Sequence, residues 1–200
     1  MARPKAISDA QLLDVAHAAF LEHGYGVPVS TIARSAGVSS AAVFLRYPTK
    51  DALFKHVLLR AFQDQVVASL PDVESEPDPE RALTRLANTL LTFMRRNSGL
   101  VLLRAAAGST RMCTRPEDSA VSGPADAVAG WFQRQMDAGR FRRADPHITA
   151  RIFCATLGHY AMTEAAGIPN GPPIDADTDI AHAVAFALNG LLPRCSGAPI

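Results

Sequence analysis

Apolar residues recur at helical spacing along nearly the whole chain, and the alternation expected of β-strands is missing. A first helix is predicted to begin after Ser8, because Ser8-Asp9-Ala10-Gln11 has the spacing of a capping box. Gly24 is predicted to end this helix, since glycine adopts the left-handed backbone conformation without strain. The apolar face between them consists of Leu12, Val15, Ala16, Ala19 and Phe20.

Three more helices are predicted before residue 71. Two are short, at about Val29–Ser35 and about Ser40–Tyr47. The third follows the break at Pro48, takes Thr49 as its cap and runs to about Leu70. Residues 71–80, PDVESEPDPE, are rich in proline and acid and are therefore predicted to form a linker between two functional halves.

The C-terminal half is also predicted to be helical. One helix starts at Asp78-Pro79, and the apolar run 99–107, interrupted only by Arg104, is typical of a central helix. Residues 109–123 are expected to be irregular, and a helix at about 125–138 follows. Asp145-Pro146 begins another helix, and a Pro/Gly loop at 167–174 precedes the last one. The two apolar stripes of that last helix fit either a partner chain or burial inside the bundle.

Composition and charge exclude few functions. The chain of 200 residues is long enough for one sizeable core, or for a small domain joined to a larger one. Residues 1–60 hold seven Lys or Arg against four Asp or Glu, whereas the remaining residues hold thirteen against fifteen. This basic N-terminal part permits contact with nucleic acid without demanding it.

The N-terminal residues, the lengths of the apolar runs and the spacing of the cysteines all favour a cytoplasmic protein. The N-terminus has no apolar stretch after its basic residues, and no apolar run is long enough to span a bilayer. Cys113, Cys154 and Cys195 are far apart in the sequence and suggest no disulfide framework. For Cys113 an inert thiol is favoured over a regulatory one.

The segment from Ile32 to Val43 has the spacing of a helix-turn-helix, in which two short helices cross steeply around a tight turn. Ala33 is small where the second helix presses against the first, and Gly37 can supply the positive φ of the turn. Apolar residues at both ends of the turn can fill the small core, and Ser39 is placed to cap the second helix.

The chain from about Leu12 to about Leu58 resembles the DNA-binding domain of the tetracycline-repressor (TetR) family. The matching pieces are AAFLEHGY at 18–25, IARSAGVS at 32–39 and VFLRYPTKDALF at 43–54. The remainder resembles the family only in its helical layout. The chain departs from the residues usual in the family at Pro28, Ser40, Ala41, Ala42 and Phe44.

This resemblance implies an all-α fold with an N-terminal three-helix helix-turn-helix DNA-binding domain at 1–48, a connecting helix at 49–70, and a helical bundle for ligand binding and dimerisation at 71–200. It also implies a homodimer that binds a palindromic operator in double-stranded DNA and represses transcription. A small-molecule effector, whose identity the sequence does not reveal, would shift the connecting helix and separate the two recognition helices.

The predicted DNA-binding residues lie in or beside the helix-turn-helix. Lys50 matches the phosphate-contacting lysine of the family, and Arg46 can reach the backbone or a guanine, or form a surface ion pair. Ala41, Ala42 and Leu45 can offer thymine methyls an apolar surface or be plain helix-forming residues. Ser30, Thr31 and Ser40 can hydrogen-bond to phosphate or base edges or cap helices. Tyr47 can contact phosphate or pack under the motif. The full set is Ser30, Thr31, Ser39, Ser40, Ala41, Ala42, Phe44, Leu45, Arg46, Tyr47 and Lys50.

Candidate ligand and dimer residues are chosen from the apolar faces of the C-terminal half. The ligand candidates, for nearly all of which core packing is the alternative, are Phe93, Leu103, Arg104, Trp131, Met136, Phe153, His159, Tyr160 and Met162. Arg104 can meet an anionic ligand, snorkel or form a structural ion pair. The candidate dimer residues are Ile152, Ile180, Val184, Leu188 and Leu191.

Two other functions compete with a ligand-responsive repressor. One is a helical small-molecule-binding protein or adaptor with weakened or lost operator binding, which the substituted recognition helix motivates. The other is an enzyme, but the sequence contains no GxSxG, P-loop, GxGxxG or paired catalytic motif. The six histidines show no HxxxH or HExxH spacing, so neither a metal site nor a cofactor is expected.

Overall fold

A computed structural model describes residues 7–106, 124–168 and 176–191 of the chain. These residues form nine α-helices and a short 3-10 helix and contain no strand, which confirms the all-α fold. The 3-10 helix is Val67–Ser69. The α-helices are α1 (Asp9–His23), α2 (Val29–Ser35), α3 (Ser40–Arg46), α4 (Lys50–Gln65), α5 (Leu70–Glu74), α6 (Pro79–Ala106), α7 (Pro124–Asp137), α8 (Pro146–Ala165) and α9 (Ala176–Leu191).

Some predictions fall on parts of the chain that the structure does not describe. The irregular segment 109–123, the thiols of Cys113 and Cys195, and most of the loop 167–174 lie outside the described residues. The side chain of Arg104 also lies outside them, although its backbone belongs to α6.

The helix starts that were predicted from local sequence are confirmed. Ser8 and Gln11 form the capping box of α1, which ends at Gly24 with a φ of 72°. The hydroxyl oxygens of Ser39 and Thr49 accept the Ala42 and Ala52 amides at 3.1 and 3.0 Å. The carboxylates of Asp78 and Asp145 accept amide N–H groups at the starts of α6 and α8. Each cap provides an acceptor for an amide that the helix itself leaves unpaired.

The connection between the two halves differs from the predicted linker. Helix α4 ends at Gln65, and residues 67–74 continue as the 3-10 helix and α5. Val73 is buried, and so is Glu76, whose carboxylate lies 2.9 Å from the Arg85 guanidinium. The acidic residues therefore pair with arginines instead of solvating a free linker, and a single helix α6 then runs through Gly99 without a break.

Two clusters of buried side chains form separate cores. The N-terminal cluster contains apolar residues of α1 to α4, and the larger cluster contains residues from the end of α4 through α9. Helices α4 and α6 contribute to both, since Phe54 and Leu100 lie in the N-terminal core while Phe62 and Leu90 lie in the other. These two helices are consequently the rigid elements that join the halves.

Candidate nucleic-acid interface

Helices α2 and α3 pack around a tight turn at Gly37. Its φ is 68°, in the left-handed region that favours glycine. The Val38 amide closes the turn by donating to the Ala33 carbonyl at 2.9 Å. Ile32 and Val43 are fully buried between the helices, and Ala33 is nearly so. The predicted helix-turn-helix is thus present, with α3 in the position of the recognition helix.

The outward side of α3 is largely apolar. Leu45 is 87% exposed and Phe44 is 43% exposed, although large apolar side chains are usually covered. Ala41 is also exposed, while Ser40 and Ala42 are half-buried. Ser30 is exposed and Thr31 half-buried near the start of α2. The Ser39 hydroxyl is already used as the cap of α3.

Arg46 forms a hydrogen bond and an ion pair with residues at the start of α1. Its Nη1 atom donates to the Ile7 carbonyl at 3.0 Å and lies 3.2 Å from the Asp9 carboxylate. This is the surface ion pair that the sequence left open as an alternative to DNA contact. Contact with DNA requires Arg46 to exchange or share these bonds, and such an exposed pair contributes only about 0–1 kcal/mol.

Lys50 begins α4 and lies beside an aromatic ring. Its Nζ atom is 4.7 Å from the centre of the Tyr25 ring. Burial lowers the pKa of Lys50 below its usual value, and the neighbouring Asp51 carboxylate partly opposes that shift. Sequence reasoning assigned no role to Tyr25, although it closes the matching piece AAFLEHGY; the ring becomes relevant only once α1 and α4 pack together.

Tyr47 lies inside the N-terminal core and is only 6% exposed. Its ring is 5.1 Å from the His56 ring. Burial raises the pKa of Tyr47, and the Asp9 carboxylate adds to the rise. These observations favour packing over a phosphate contact for this residue.

The far end of α6 meets the DNA-binding half directly. Leu100 is 5% exposed and belongs to the N-terminal core. The Asn97 side chain, also buried, lies 3.0 Å from His17 Nε2 of α1. Leu103 lies so close to Gly24 that a Cβ at position 24 would be 3.2 Å from its Cδ1 atom. Helix α6 therefore connects the C-terminal core to the end of α1.

The predicted ligand residues do not converge on one cavity among the described residues. Trp131, Met136 and Phe153 are buried in the C-terminal core, and Phe93 packs against it with its ring 5.3 Å from Phe62. Tyr160 and Met162 are half-buried, His159 is exposed, and Leu103 faces the DNA-binding half. Trp131 is fully buried, and its indole N–H has no hydrogen-bond partner within the described part of the chain.

The predicted dimer residues of α9 need a correction. Ile180, Val184, Leu188 and Leu191 are all buried in the core of their own chain, because α9 packs this stripe against α6 and α8. Ile152 of α8 is 59% exposed and stays a candidate contact residue. The other large apolar side chains exposed on this pair of helices are Ile148 and Phe186, at 47% and 81%.

A groove of about 410 Å³ separates α8 from α9. Ile152 and Thr156 line one side, and Phe186 and Ala187 line the other. Among the predicted ligand residues whose side chains the structure describes, only Phe153 lies in its wall. Sequence reasoning missed Phe186 because it belongs to neither of the two apolar stripes of the last helix. The sequence does carry a signal for Phe186: it is a large aromatic residue on the side of the helix that does not contain the apolar stripes.

Two kinds of feature are missing from the described part of the chain. No group of three or more His, Cys, Asp or Glu residues is arranged there to hold a metal ion. None of the described helices is both long and apolar enough to cross a membrane.

The chain is similar to known proteins in both halves. The model for bacterial regulatory proteins of the tetR family matches residues 12–57, and the model for the C-terminal domain of AefR-like transcriptional repressors matches residues 81–189. No curated protein sequence is significantly similar to the chain.

Solved structures share the whole fold. A putative TetR-family transcriptional regulator from Mesorhizobium loti has a TM-score of 0.67 at 20% identity, covering 94% of this chain and 100% of its own. A putative transcriptional regulator from Rhodococcus sp. RHA1 has a TM-score of 0.65 at 20% identity, covering 92% and 95%. The flavonoid-responsive regulator FrrA has a TM-score of 0.56 at 23% identity, covering 92% and 97%. With a tetR-type helix-turn-helix in the first half and an AefR-like domain over more than half of its length, the chain belongs to the TetR family of DNA-binding transcriptional regulators.

Proposed function

We propose that the protein is a homodimeric repressor that binds a palindromic operator and is released by a small-molecule effector. The observation that carries this proposal is the outward face of α3, where Leu45 and Phe44 are exposed although the opposite face builds a core. An apolar side chain on a recognition helix can contact the C5-methyl group of thymine in the major groove. The match to an AefR-like repressor domain supports repression over activation.

We propose roles for five residues of this interface. Lys50 binds a backbone phosphate, and the hydroxyls of Ser30 and Thr31 add contacts at the start of α2. Ala41 and Leu45 present methyl groups to thymines. Because the side chains of α3 include one cation, DNA shape and methyl contacts contribute more to sequence selection than paired hydrogen bonds to guanine. A function on chromosomal DNA supports a cytoplasmic location for the protein.

The dimer is proposed to form through the exposed apolar faces of α8 and α9. Ile152 and Phe186 line a groove on this side of the molecule, and Ile148 is exposed one turn before Ile152 on α8. A second copy of the same face would cover them by two-fold symmetry. Two recognition helices about 34–36 Å apart can then occupy successive turns of the major groove.

The effector is proposed to act through α6. This helix has Leu83, Leu86 and Leu90 in the C-terminal core and Leu100 in the N-terminal core, so displacement at one end is transmitted to α1. The C-terminal core is dominated by aromatic and aliphatic side chains, which suits a moderately apolar effector. The flavonoid-responsive neighbour makes flavonoids a reasonable first set of candidates.

Selection of bound duplexes from a random DNA pool, repeated with candidate effectors, tests the proposal. We expect an enriched palindrome with A·T-rich half-sites whose centres lie about 10 base pairs or a multiple apart. An effector should reduce retention of that palindrome. Retained ligand binding with no enriched sequence would favour the helical binder or adaptor instead, and an operator dominated by guanine contacts from α3 would contradict the assigned roles of Ala41 and Leu45.

A further inference from the structure

Tyr25 supports Lys50 from beneath. Tyr25 lies in the loop between α1 and α2, and the Lys50 ammonium is 4.7 Å from the centre of its ring. A cation over an aromatic face is attracted by the ring quadrupole. A lysine side chain is otherwise a flexible four-carbon stem that samples many positions. The ring consequently restricts where this ammonium can lie at the start of α4.

The ring is itself held rigidly. It stacks on Phe20 with the two planes 12° apart and the ring centres separated by 6.1 Å. It also meets Phe54 edge to face at 5.1 Å. Phe20 is fully buried and Phe54 nearly so. Tyr25 therefore forms the outer layer of an aromatic cluster whose other two rings are buried, and packing against them sets its position.

The hydroxyl of Tyr25 makes a separate contact with α4. It donates a hydrogen bond to the Asp51 carboxylate, which follows Lys50 in the first turn of α4. A carboxylate beside a phosphate-binding lysine repels the phosphate. A charged acceptor that is bound by a hydroxyl is oriented toward its donor, so the bond to Tyr25 restrains this unfavourable charge.

We propose that Tyr25 is a positioning residue for phosphate binding: its ring fixes the Lys50 ammonium, and its hydroxyl restrains the neighbouring Asp51 carboxylate. The inference rests on the proposed function, because it takes Lys50 as the residue that meets the DNA backbone. Tyr25 itself touches no DNA in this arrangement. Its effect on binding is therefore exerted through Lys50 and Asp51.

A double-mutant cycle on the full chain tests the role of the ring. The probe is a duplex enriched from the random pool by the wild-type protein, and the dissociation constant is measured over a series of salt concentrations. Lys50→Ala should lower the salt slope by about one unit. Relative to Tyr25→Phe, which keeps the ring but lacks the hydroxyl, Tyr25→Leu should weaken binding about 5-fold when Lys50 is present, but less than about 2-fold when Lys50 is already alanine.

A second pair of variants tests the hydroxyl without removing the ring. Tyr25→Phe keeps the aromatic cluster intact and should weaken binding about 2-fold to 5-fold, because the Asp51 charge is then unrestrained. Adding Asp51→Asn should restore affinity to the wild-type value or above it. Thermal unfolding of each variant separates loss of binding from loss of fold, and Tyr25→Phe should unfold close to the wild-type temperature.

The outcomes separate this inference from the proposed function. Absence of selective DNA binding by the wild-type chain would overturn both. Selective binding by the wild type, together with an equal further loss from Tyr25→Leu relative to Tyr25→Phe in the presence and absence of Lys50, would overturn the role of the ring alone. A Tyr25→Phe variant that Asp51→Asn fails to rescue would overturn the role of the hydroxyl.

Discussion

Replacement of Phe186 is the sharpest test of the proposed dimer. Phe186 lies on α9 and is 81% exposed, so the protomer gains little from it as long as the chain is alone. In a two-fold dimer formed through α8 and α9, the same side chain would be buried in both copies. Phe186→Ala is therefore expected to weaken association strongly while leaving the folded protomer intact.

The magnitude follows from the exposed area. A phenylalanine buries about 150–250 Å², and apolar burial is worth about 25 cal/mol per Å². With 81% of this residue available, complete burial would stabilise the dimer by roughly 3–5 kcal/mol per copy. Incomplete burial and the cost of ordering side chains reduce this value. A total loss of at least about 2 kcal/mol, or about 30-fold in the dissociation constant, is the expected result.

Sedimentation equilibrium over a range of protein concentrations measures this constant. Phe44→Ala is the matched control, because Phe44 is another partly exposed phenylalanine but lies on α3. It should leave dimerisation unchanged. A wild-type chain that is monomeric at micromolar concentration, or a Phe186→Ala dimer as tight as the wild type, would refute the assignment of this face.

Three further predictions concern stability and reactivity. Leu100→Ala removes an α6 side chain from the N-terminal core and should reduce the free energy of unfolding by about 2–4 kcal/mol in urea titrations. Leu103→Ala, at an exposed position of the same helix, should reduce it by under about 1 kcal/mol. Equal losses would contradict the packing of α6 into the N-terminal core through Leu100. Ser39→Ala deletes the α3 cap and should cost about 1 kcal/mol, more than Ser40→Ala, in the same titrations; a larger loss at Ser40 would show that the cap is misassigned. Burial raises the pKa of Cys154 to about 11 from 9.0, so its thiol should react slowly with Ellman's reagent at pH 8. Rapid labelling of Cys154 at pH 8 in a folded chain carrying Cys113→Ser and Cys195→Ser would contradict this. The contribution of Cys154 to stability is present below pH 9 and is lost as the pH rises toward 11, since only the unfolded thiol ionises readily there.

Local sequence predicted the DNA-binding half well. The caps at Ser8, Ser39 and Thr49 and the turn at Gly37 were found where their patterns placed them. Each of these features depends on a few neighbouring backbone groups, so it can be predicted from a window of about four residues. The same reasoning failed at Val73, where burial against distant helices turned an expected linker residue into part of a core.

The candidate site was predicted less completely, because its geometry depends on contacts between distant segments. The sequence identifies Arg46 as a cation on the recognition helix. Its hydrogen bond to the Ile7 carbonyl joins residues 39 positions apart, so no local pattern predicts it. The stripe of α9 that contains Val184 is apolar in the sequence. The sequence alone does not specify whether a partner chain or the chain's own bundle covers this stripe. Packing of α9 resolved that choice in favour of the chain's own core and left Phe186 outside.

By itself, the sequence determined the helical class, the positions of the helix starts and the helix-turn-helix, because capping, periodicity and turn chemistry are local properties of the chain. Only the tertiary structure decided which faces are covered. It placed the Tyr25 ring under Lys50, joined His17 to Asn97 across 80 residues, and exposed Phe186 on the surface. The physical reason is that burial and side-chain pairing depend on how helices pack against one another, and periodicity along one helix does not specify its neighbour.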